Sequence, residues 1–401
     1  MSAPTTSRAD LFARVLDLGS RPNPYPLYAE LREQPVSQQA DGTWAISGFD
    51  EISALLHDPR ISSDMDNASR APRTGIRKSL IMQDPPSHDR LRRAVMTTFT
   101  PAVVESLRGD VRRLVDGSLD AIGSRTRLDV VDEIAYPLPV SVICALLGIP
   151  ERDEALFHGW ADTMARGLDL DPTMSQAELD AISHAATELS GYLGQLIAQR
   201  TQHPGNDLIS GLLAGGARSE PVTGEDLVIT ARLLLIAGHE TTVNLLTNGT
   251  LTLLRHPDIL ARFKSEPDLV VPMIEELVRY EPSVQFRHRA TLADIEIGGA
   301  TIPRGSTVVL LFAAGSRDSR HYTDPDRFIP DRTPNEHFGF GGGIHYCIGA
   351  PLARMEAQIV LPELVRRLDN PRLVADPPPY RPAAALRGPE HLWIDVDRIL
   401  P

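Results

Sequence analysis

The sequence predicts a mainly α-helical chain with a small β region, an α+β arrangement in a single domain over residues 1–401. Three observations predict it. An apolar helical stretch runs from about Thr223 to Arg255, far longer than an ordinary helix and stopped by His256-Pro257. Short strand-like runs cluster around the Gly298-Gly299 turn. No internal repeat and no low-complexity linker separates the chain into modules.

Bulk composition narrows the function classes. Of 401 residues, 42% are hydrophobic, enough for a large core. A net charge of -13 argues against nucleic acid as a partner. Two cysteines, Cys144 and Cys347, make no disulfide framework and suit a reducing cytoplasm. Met1 to Asp10 lacks a signal-peptide layout, and no apolar run reaches the roughly 18 residues that would span a membrane.

In chain order, a Pro-rich opening gives way to a short helix over Leu27 to Arg32. Thr43 to Ile46 reads as a strand after the Asp41-Gly42 turn, and Phe49 to His57 as a helix stopped by Asp58-Pro59. Arg60 to Met82 is polar and irregular; Arg73, Arg77 and Lys78 fit solvated loop charge better than a ligand contact. Ser87 can cap the helix that follows Asp84-Pro85-Pro86. His88 and Arg92, four apart, share one face of it. Thr100-Pro101 starts a helix to about Ile122. Cys144 lies in an apolar run with no glycine loop and reads as core. Glu151 to Gly167 and Gln176 to Gln202 are helical, and Asn206 to Leu213 is a short helix.

Thr223 and Asp226 have capping-box spacing at the start of the central helix. Its middle, Leu233 to Thr242, sets Gly238, Glu240 and Thr241 among apolar residues. Glycine costs about 1 kcal/mol there, and a buried carboxylate costs more unless partnered. Such rule-breaking marks function. His239-Glu240 does not continue as a zinc-protease motif. Met273 to Tyr280 is a helix with Glu276 and Arg279 at ion-pair spacing. Ile295 to Pro303 is a hairpin, and Val308 to Ala313 a buried strand.

The stretch that organises the chain is Phe340-Gly341-Gly342-Gly343-Ile344-His345-Tyr346-Cys347-Ile348-Gly349. Glycines of this density admit positive φ and close approach to something bulky. A cysteine at the helix start of Ala350 sits near unpaired N–H groups that favour its thiolate. A free cysteine met at random is more often a small hydrophobe.

This decapeptide resembles the haem-ligand loop of cytochrome P450s at all six defined positions of Phe-Gly-x-Gly-x-His-x-Cys-x-Gly. His88-x-x-x-Arg92, Ala237-Gly238-x-Glu240-Thr241, Glu276-x-x-Arg279 and Arg289 stand in the matching order, so the resemblance covers essentially the whole chain. It implies the P450 fold, with the central helix over haem b. Cys347 is then the iron ligand. His88, Arg92, Arg289 and His345 would hold the haem propionates, with Arg287 the rival to Arg289 because alternate strand residues share a face. Phe340, Gly341 and Gly349 would shape the loop, and Ala237 and Gly238 would leave room for haem and dioxygen. Thr241 and Glu240 would relay protons, unless the Thr241 hydroxyl bonds back to its own helix. Glu276 and Arg279 would be structural. Ile81, Met82, Leu234, Val284, Phe286 and Leu386 would line the substrate pocket, with the 166–175 connection as its lid.

The implied activity is insertion of one atom of O2 into a C–H or C=C bond of an apolar small molecule, in secondary metabolism. Electrons would come from a separate ferredoxin-type donor with an NAD(P)H-dependent reductase, docking on a basic patch of Arg90, Arg93 and Arg354. The expected state is a cytoplasmic monomer without nucleic-acid or membrane partners. Two alternatives stay open: atypical chemistry on the same haem, such as coupling or peroxide-driven oxidation, and a haem-binding protein without turnover.

Overall fold

One helix of 32 residues, Gly224–Arg255, forms the axis of the molecule. At about 1.5 Å per residue it is about 48 Å long, and it is buried along most of its course. The helices Pro137–Leu147, Gln176–Gln202 and Ala350–Arg367 pack against it. Apolar residues all round its middle explain that burial. The computed structural model describes residues 10–69, 79–166, 174–215 and 221–401. Arg73, Arg77, Lys78 and most of the expected 166–175 lid lie outside them.

Several helix starts differ from expectation. Thr223 makes no side-chain cap bond. Asp226 instead pairs with Arg90 at 2.5 Å, so the carboxylate is used between helices. Ser87 does not cap either, because Pro86 takes the N-cap position and Ser87 is already helical. The expected helix from Thr100 to Ile122 breaks at Leu107 into Pro101–Ser106 and Arg108–Ile122. Thr100 does cap, accepting from the Val103 N–H.

The β region is a five-stranded sheet in the order Val36–Gln38, Trp44–Ile46, Thr307–Leu310, Arg287–Thr291, Ile61–Ser62. Arg287–Thr291 runs antiparallel to Thr307–Leu310, with Arg289 opposite Val308. The hairpin Ile295–Ile297 to Ala300–Ile302 turns at Gly298 and Gly299, both at positive φ as a tight two-residue turn requires. The main core runs between the helices, and a second cluster joins Phe12, Tyr28 and Phe286 beneath the sheet.

Glu276 and Arg279 are completely buried, with two parallel bonds of 2.7 and 2.8 Å. Arg279 also donates to the carbonyls of Ser316, Pro325 and Arg327. Glu276 accepts from the Ile329 N–H at 2.8 Å and from Arg332. The pair therefore anchors the segment that leads into the glycine loop.

Candidate active site

The glycine loop is pinned before the cysteine is reached. The Cys347 N–H donates to the Phe340 carbonyl at 2.9 Å, closing the loop on itself. Gly343 has φ near +60°, and a Cβ there would lie 2.0 Å from the Leu56 carbonyl oxygen. A Cβ on Gly339 would meet Val278 at 2.3 Å. Only glycine lets the loop settle between these two helices. Phe340 lies under the Arg354 guanidinium at 4.3 Å.

Cys347 is accessible, yet burial is the leading cause that raises its pKa. The two facts agree if the sulfur faces an interior space rather than bulk solvent. The N–H groups of Gly349 and Ala350 bond to it and pull the pKa down, as do the charges of Arg354 and Arg92. The net direction is upward, so the helix-start N–H groups do not by themselves make it a thiolate, contrary to the sequence expectation. A metal ion deprotonates a coordinating thiol outright.

Beside the loop stands a group of two histidines and two arginines. His88 is buried, with Nδ1 2.8 Å from Asp89 and its ring 4.4 Å from that of His345. Arg92 donates to the Tyr346 carbonyl at 2.8 Å. Arg289 is buried and donates only to the neighbouring His288 carbonyl. Neither Arg92 nor Arg289 has an ion-pair partner among the described residues. The Nε2 atoms of His88 and His345 are buried without hydrogen-bond partners. Burial first, then the charges of Arg289, His88 and Arg92, push His345 down to about 3. Of the two candidate arginines, Arg289 is the one whose charge acts on His345; Arg287 is only half-buried. Two orphan imidazole nitrogens and two unpaired guanidiniums form a receptor for carboxylates.

The central helix carries a partly open face of its own. Between Leu233 and Leu253 every residue is buried except Leu234, Ala237, Gly238 and Thr241. That spacing puts the four on one face, which is the only stretch of this span left open. The hydrogen atom that stands for a side chain at Gly238 points toward Ile143, 3.2 Å from a built Cβ, so its smallness serves helix packing as well. The Thr241 hydroxyl donates to the Ala237 carbonyl at 2.7 Å, the back-bonded arrangement weighed as the alternative. Glu240 falls roughly 110° round the helix from the middle of the open face. It is buried, and Arg381 donates to its carboxylate. Arg381, Asn244 and the Thr241-facing Ser283 are participants that sequence reading missed; nothing in their local sequence marks them.

The expected pocket residues scatter. Ile81 and Met82 are exposed in a short 3-10 turn, Leu80–Met82. Val284 and Leu386 form an isolated β-bridge, with Leu386 buried. Phe286 is committed elsewhere: its ring packs edge-on to Phe12 at 5.3 Å in the second core cluster. The structure does not bring Phe286 to the open face. The expected basic patch is largely neutralised, since Arg354 holds Glu275 at 2.7 and 2.8 Å and Arg90 holds Asp226. Arg93 alone of the three is exposed without such a partner among the described residues.

Haem b is a flat, apolar group with two carboxylates and an iron atom. The loop thiol fits the iron, the carboxylate receptor beside it fits the two carboxylates, and the open face of the central helix offers apolar surface.

Comparison with known proteins followed the same lines. The family model described as "Cytochrome P450" matches residues 36–391. The chain is 39% identical to the cytochrome P450 monooxygenase PikC of Streptomyces venezuelae, covering 90% of this chain and 89% of that protein. It is 34% identical to the 6-deoxyerythronolide B hydroxylase of Saccharopolyspora erythraea, covering 93% and 96%. The ligand-free crystal structure of Mycobacterium smegmatis CYP164A2 superimposes with a TM-score of 0.91 at 38% identity, covering 97% and 100%.

Proposed function

This chain belongs to the cytochrome P450 family of haem-b monooxygenases, and from that premise we propose that it oxidises an apolar secondary metabolite with one atom of O2. The balance is RH + O2 + 2e⁻ + 2H⁺ → ROH + H2O, or the epoxide from a C=C bond. The observation that carries the reading is Cys347 on its glycine loop beside the His88, Arg92, Arg289 and His345 group, in a chain whose central helix leaves Leu234, Ala237, Gly238 and Thr241 open.

When bound, haem b supplies the iron at which dioxygen is reduced and split, with a thiolate ligand favouring the split. The protein's own residues do the rest. His88, Arg92, Arg289 and His345 orient the group through its propionates. Leu234 and Ala237 offer apolar contact to a substrate on the open face. The Thr241 hydroxyl, although it donates to Ala237, keeps lone pairs with which to accept a hydrogen bond. Glu240, the preceding residue, would take up a proton and hand it on. Residues 1–401 act as one domain, a cytoplasmic monomer that takes electrons from a ferredoxin-type donor and its NAD(P)H-dependent reductase. The hydroxylase activity of the Saccharopolyspora erythraea relative makes hydroxylation the first reaction to try.

The direct test is spectroscopic. The reduced, carbon-monoxide-bound protein should show the red-shifted thiolate Soret band, and Cys347→Ala should abolish it. Absence of the band from the unaltered protein sinks the reading. A spin-state titration against natural products then finds the substrate. One observation favours a second reading, peroxide-driven or coupling chemistry on the same haem: Glu240 and the Thr241 hydroxyl are each engaged elsewhere. Turnover with peroxide, and none with ferredoxin, reductase, NADPH and dioxygen, would select it.

A further inference from the structure

Asp129 and His391 are 262 residues apart in the chain, yet their side chains meet, and Asp132 joins them. Asp129 ends the strand Arg127–Asp129, Asp132 stands in the short π-helix Val131–Ala135, and His391 precedes the strand Trp393–Asp395. The two strands are antiparallel partners with Trp393 opposite Asp129, and the Val130 N–H donates to the Leu392 carbonyl at 3.0 Å, so the backbone itself brings the three together. His391 Nδ1 lies 2.6 Å from Asp129 Oδ2 and 3.6 Å from Asp132 Oδ2, and one ligand atom from each residue lies within 4.8 Å of the other two. Asp129 is buried and held to present one oxygen. Its Oδ1 accepts from the N–H groups of Val131 and Leu392 at 3.0 and 2.9 Å, which leaves Oδ2 for His391. The Asp129 N–H donates to Glu133 at 2.9 Å. The side chains of Asp132 and His391, 61% and 42% exposed, have room to adjust.

A structural histidine–carboxylate hydrogen bond would be complete with Asp129 alone. Asp132 is the surplus: its only ionic partner among the described residues is the same imidazole. The cations nearby are committed. Arg125 pairs with Glu133, and Arg381, whose charge reaches Asp132, donates to Glu240 and Asn244. Two carboxylates therefore share one imidazole, and a divalent ion supplies the positive charge that a single ring does not. We infer that Asp129, Asp132 and His391 form a zinc-binding site, three protein ligands with a water completing a tetrahedron, which clips the Val131–Ala135 turn to the C-terminal strand. Zinc takes imidazole nitrogen and carboxylate oxygen at about 2.0–2.2 Å, which sets neighbouring ligand atoms about 3.4 Å apart. The Asp132–His391 separation already matches that spacing. The Asp129–His391 hydrogen bond opens by less than about 1 Å when the metal replaces its proton. Magnesium and calcium require six or more ligands, mostly oxygen, and find two carboxylates and a nitrogen here. The site uses none of the residues assigned to haem or to dioxygen, so it stands apart from the monooxygenase reading.

The test titrates chelator-treated, haem-loaded full chain with zinc chloride in a calorimeter, and in parallel with magnesium chloride. The unaltered protein should bind one zinc ion per chain saturably and magnesium far more weakly. His391→Gln and Asp132→Asn should each weaken zinc binding by at least about tenfold, the least that loss of a group supporting a metal site costs. Both residues are partly exposed, so neither variant depends on refilling a core. His203→Gln, at an exposed histidine outside the cluster, should leave the affinity unchanged. Zinc should raise the melting temperature of the unaltered protein and not that of His391→Gln. X-ray absorption at the zinc edge should show nitrogen and oxygen neighbours only, whereas a sulfur neighbour at about 2.3 Å would place the metal on a cysteine. No saturable binding, unchanged affinity in His391→Gln and Asp132→Asn, a sulfur neighbour, or magnesium bound as tightly as zinc would overturn the inference. The thiolate band of the reduced, carbon-monoxide-bound protein reports on the monooxygenase reading separately, so either conclusion can fail without the other.

Discussion

The Ser283 hydroxyl donates a 2.7 Å hydrogen bond to the carbonyl oxygen of Thr241. The bond ties the segment after helix Val270–Tyr280 to the central helix at the turn where Thr241 stands. A side chain that takes part of a helical carbonyl's bonding competes with the regular ladder. Ser283→Ala leaves that carbonyl without the bond and should destabilise the protein by about 1 kcal/mol. Urea unfolding measures it. An unchanged midpoint would mean the bond contributes nothing to stability.

Glu276 and Arg279 sit at 0% exposure and hold three backbone carbonyls and one N–H of the approach to the glycine loop. Removing one partner strands the other charge in the core. Glu276→Ala should cost about 3–5 kcal/mol and reduce haem content on purification. Arg279→Lys should be nearly as damaging, because an ammonium cannot reproduce the fork that serves Glu276 and the carbonyls together. Denaturant midpoints and the ratio of haem to protein absorbance check both.

Glu356 on helix Ala350–Arg367 is buried, and burial raises its carboxyl to about 8, against a lowering by the Thr242 hydrogen bond. Folded protein therefore keeps this proton up to about pH 8, whereas the unfolded chain releases it near its ordinary value of 4.5. Unfolding releases a proton between those limits. The contribution to stability is full below pH 4.5 and is lost as pH rises through 8. Inside the window it falls by about 1.4 kcal/mol per pH unit. Glu356→Gln should remove this component, so the difference between the two stability profiles should slope across the window. Parallel profiles would show that Glu356 is ionised in the folded protein.

Arg289 and Arg287 lie on one strand with different surroundings. If Arg289 binds a propionate, Arg289→Gln should speed haem loss to an apoprotein scavenger by about tenfold to a hundredfold, the worth of one charge-assisted bond. Arg287→Gln should change the rate by less than about twofold, in line with a half-buried charge that makes no propionate contact. Reversal of the two rates would move the propionate contact to Arg287.

The sequence by itself determined what is encoded between near neighbours. The cysteine loop was legible because glycines at fixed offsets dictate a backbone path. The central helix was legible because 32 residues of helical pattern end at a proline stop. Ala237, Gly238 and Thr241 were named through the family resemblance of their motif and Leu234 as a pocket residue; helical spacing explains why the four share a face, and burial in the fold leaves that face open. The hairpin at Gly298-Gly299 was legible for a similar local reason.

Tertiary structure decided the partners. Glu240 meets Arg381 across 141 residues, and Arg90 meets Asp226 across 136. Neither pairing leaves a trace in local pattern, and each changed a role read from sequence: a relay acid is tethered, and a docking patch is neutralised. Phe286 belongs to a core with Phe12 because the segment just before strand Arg287–Thr291 packs on the N-terminal helix Leu11–Leu16, a placement no alternation rule supplies. Thr241 bonds to Ala237 because a partly buried hydroxyl on a helix finds the carbonyl four residues back as its nearest acceptor. Charge and hydrogen-bond capacity are written residue by residue in the chain, but a partner's distance is a property of the fold.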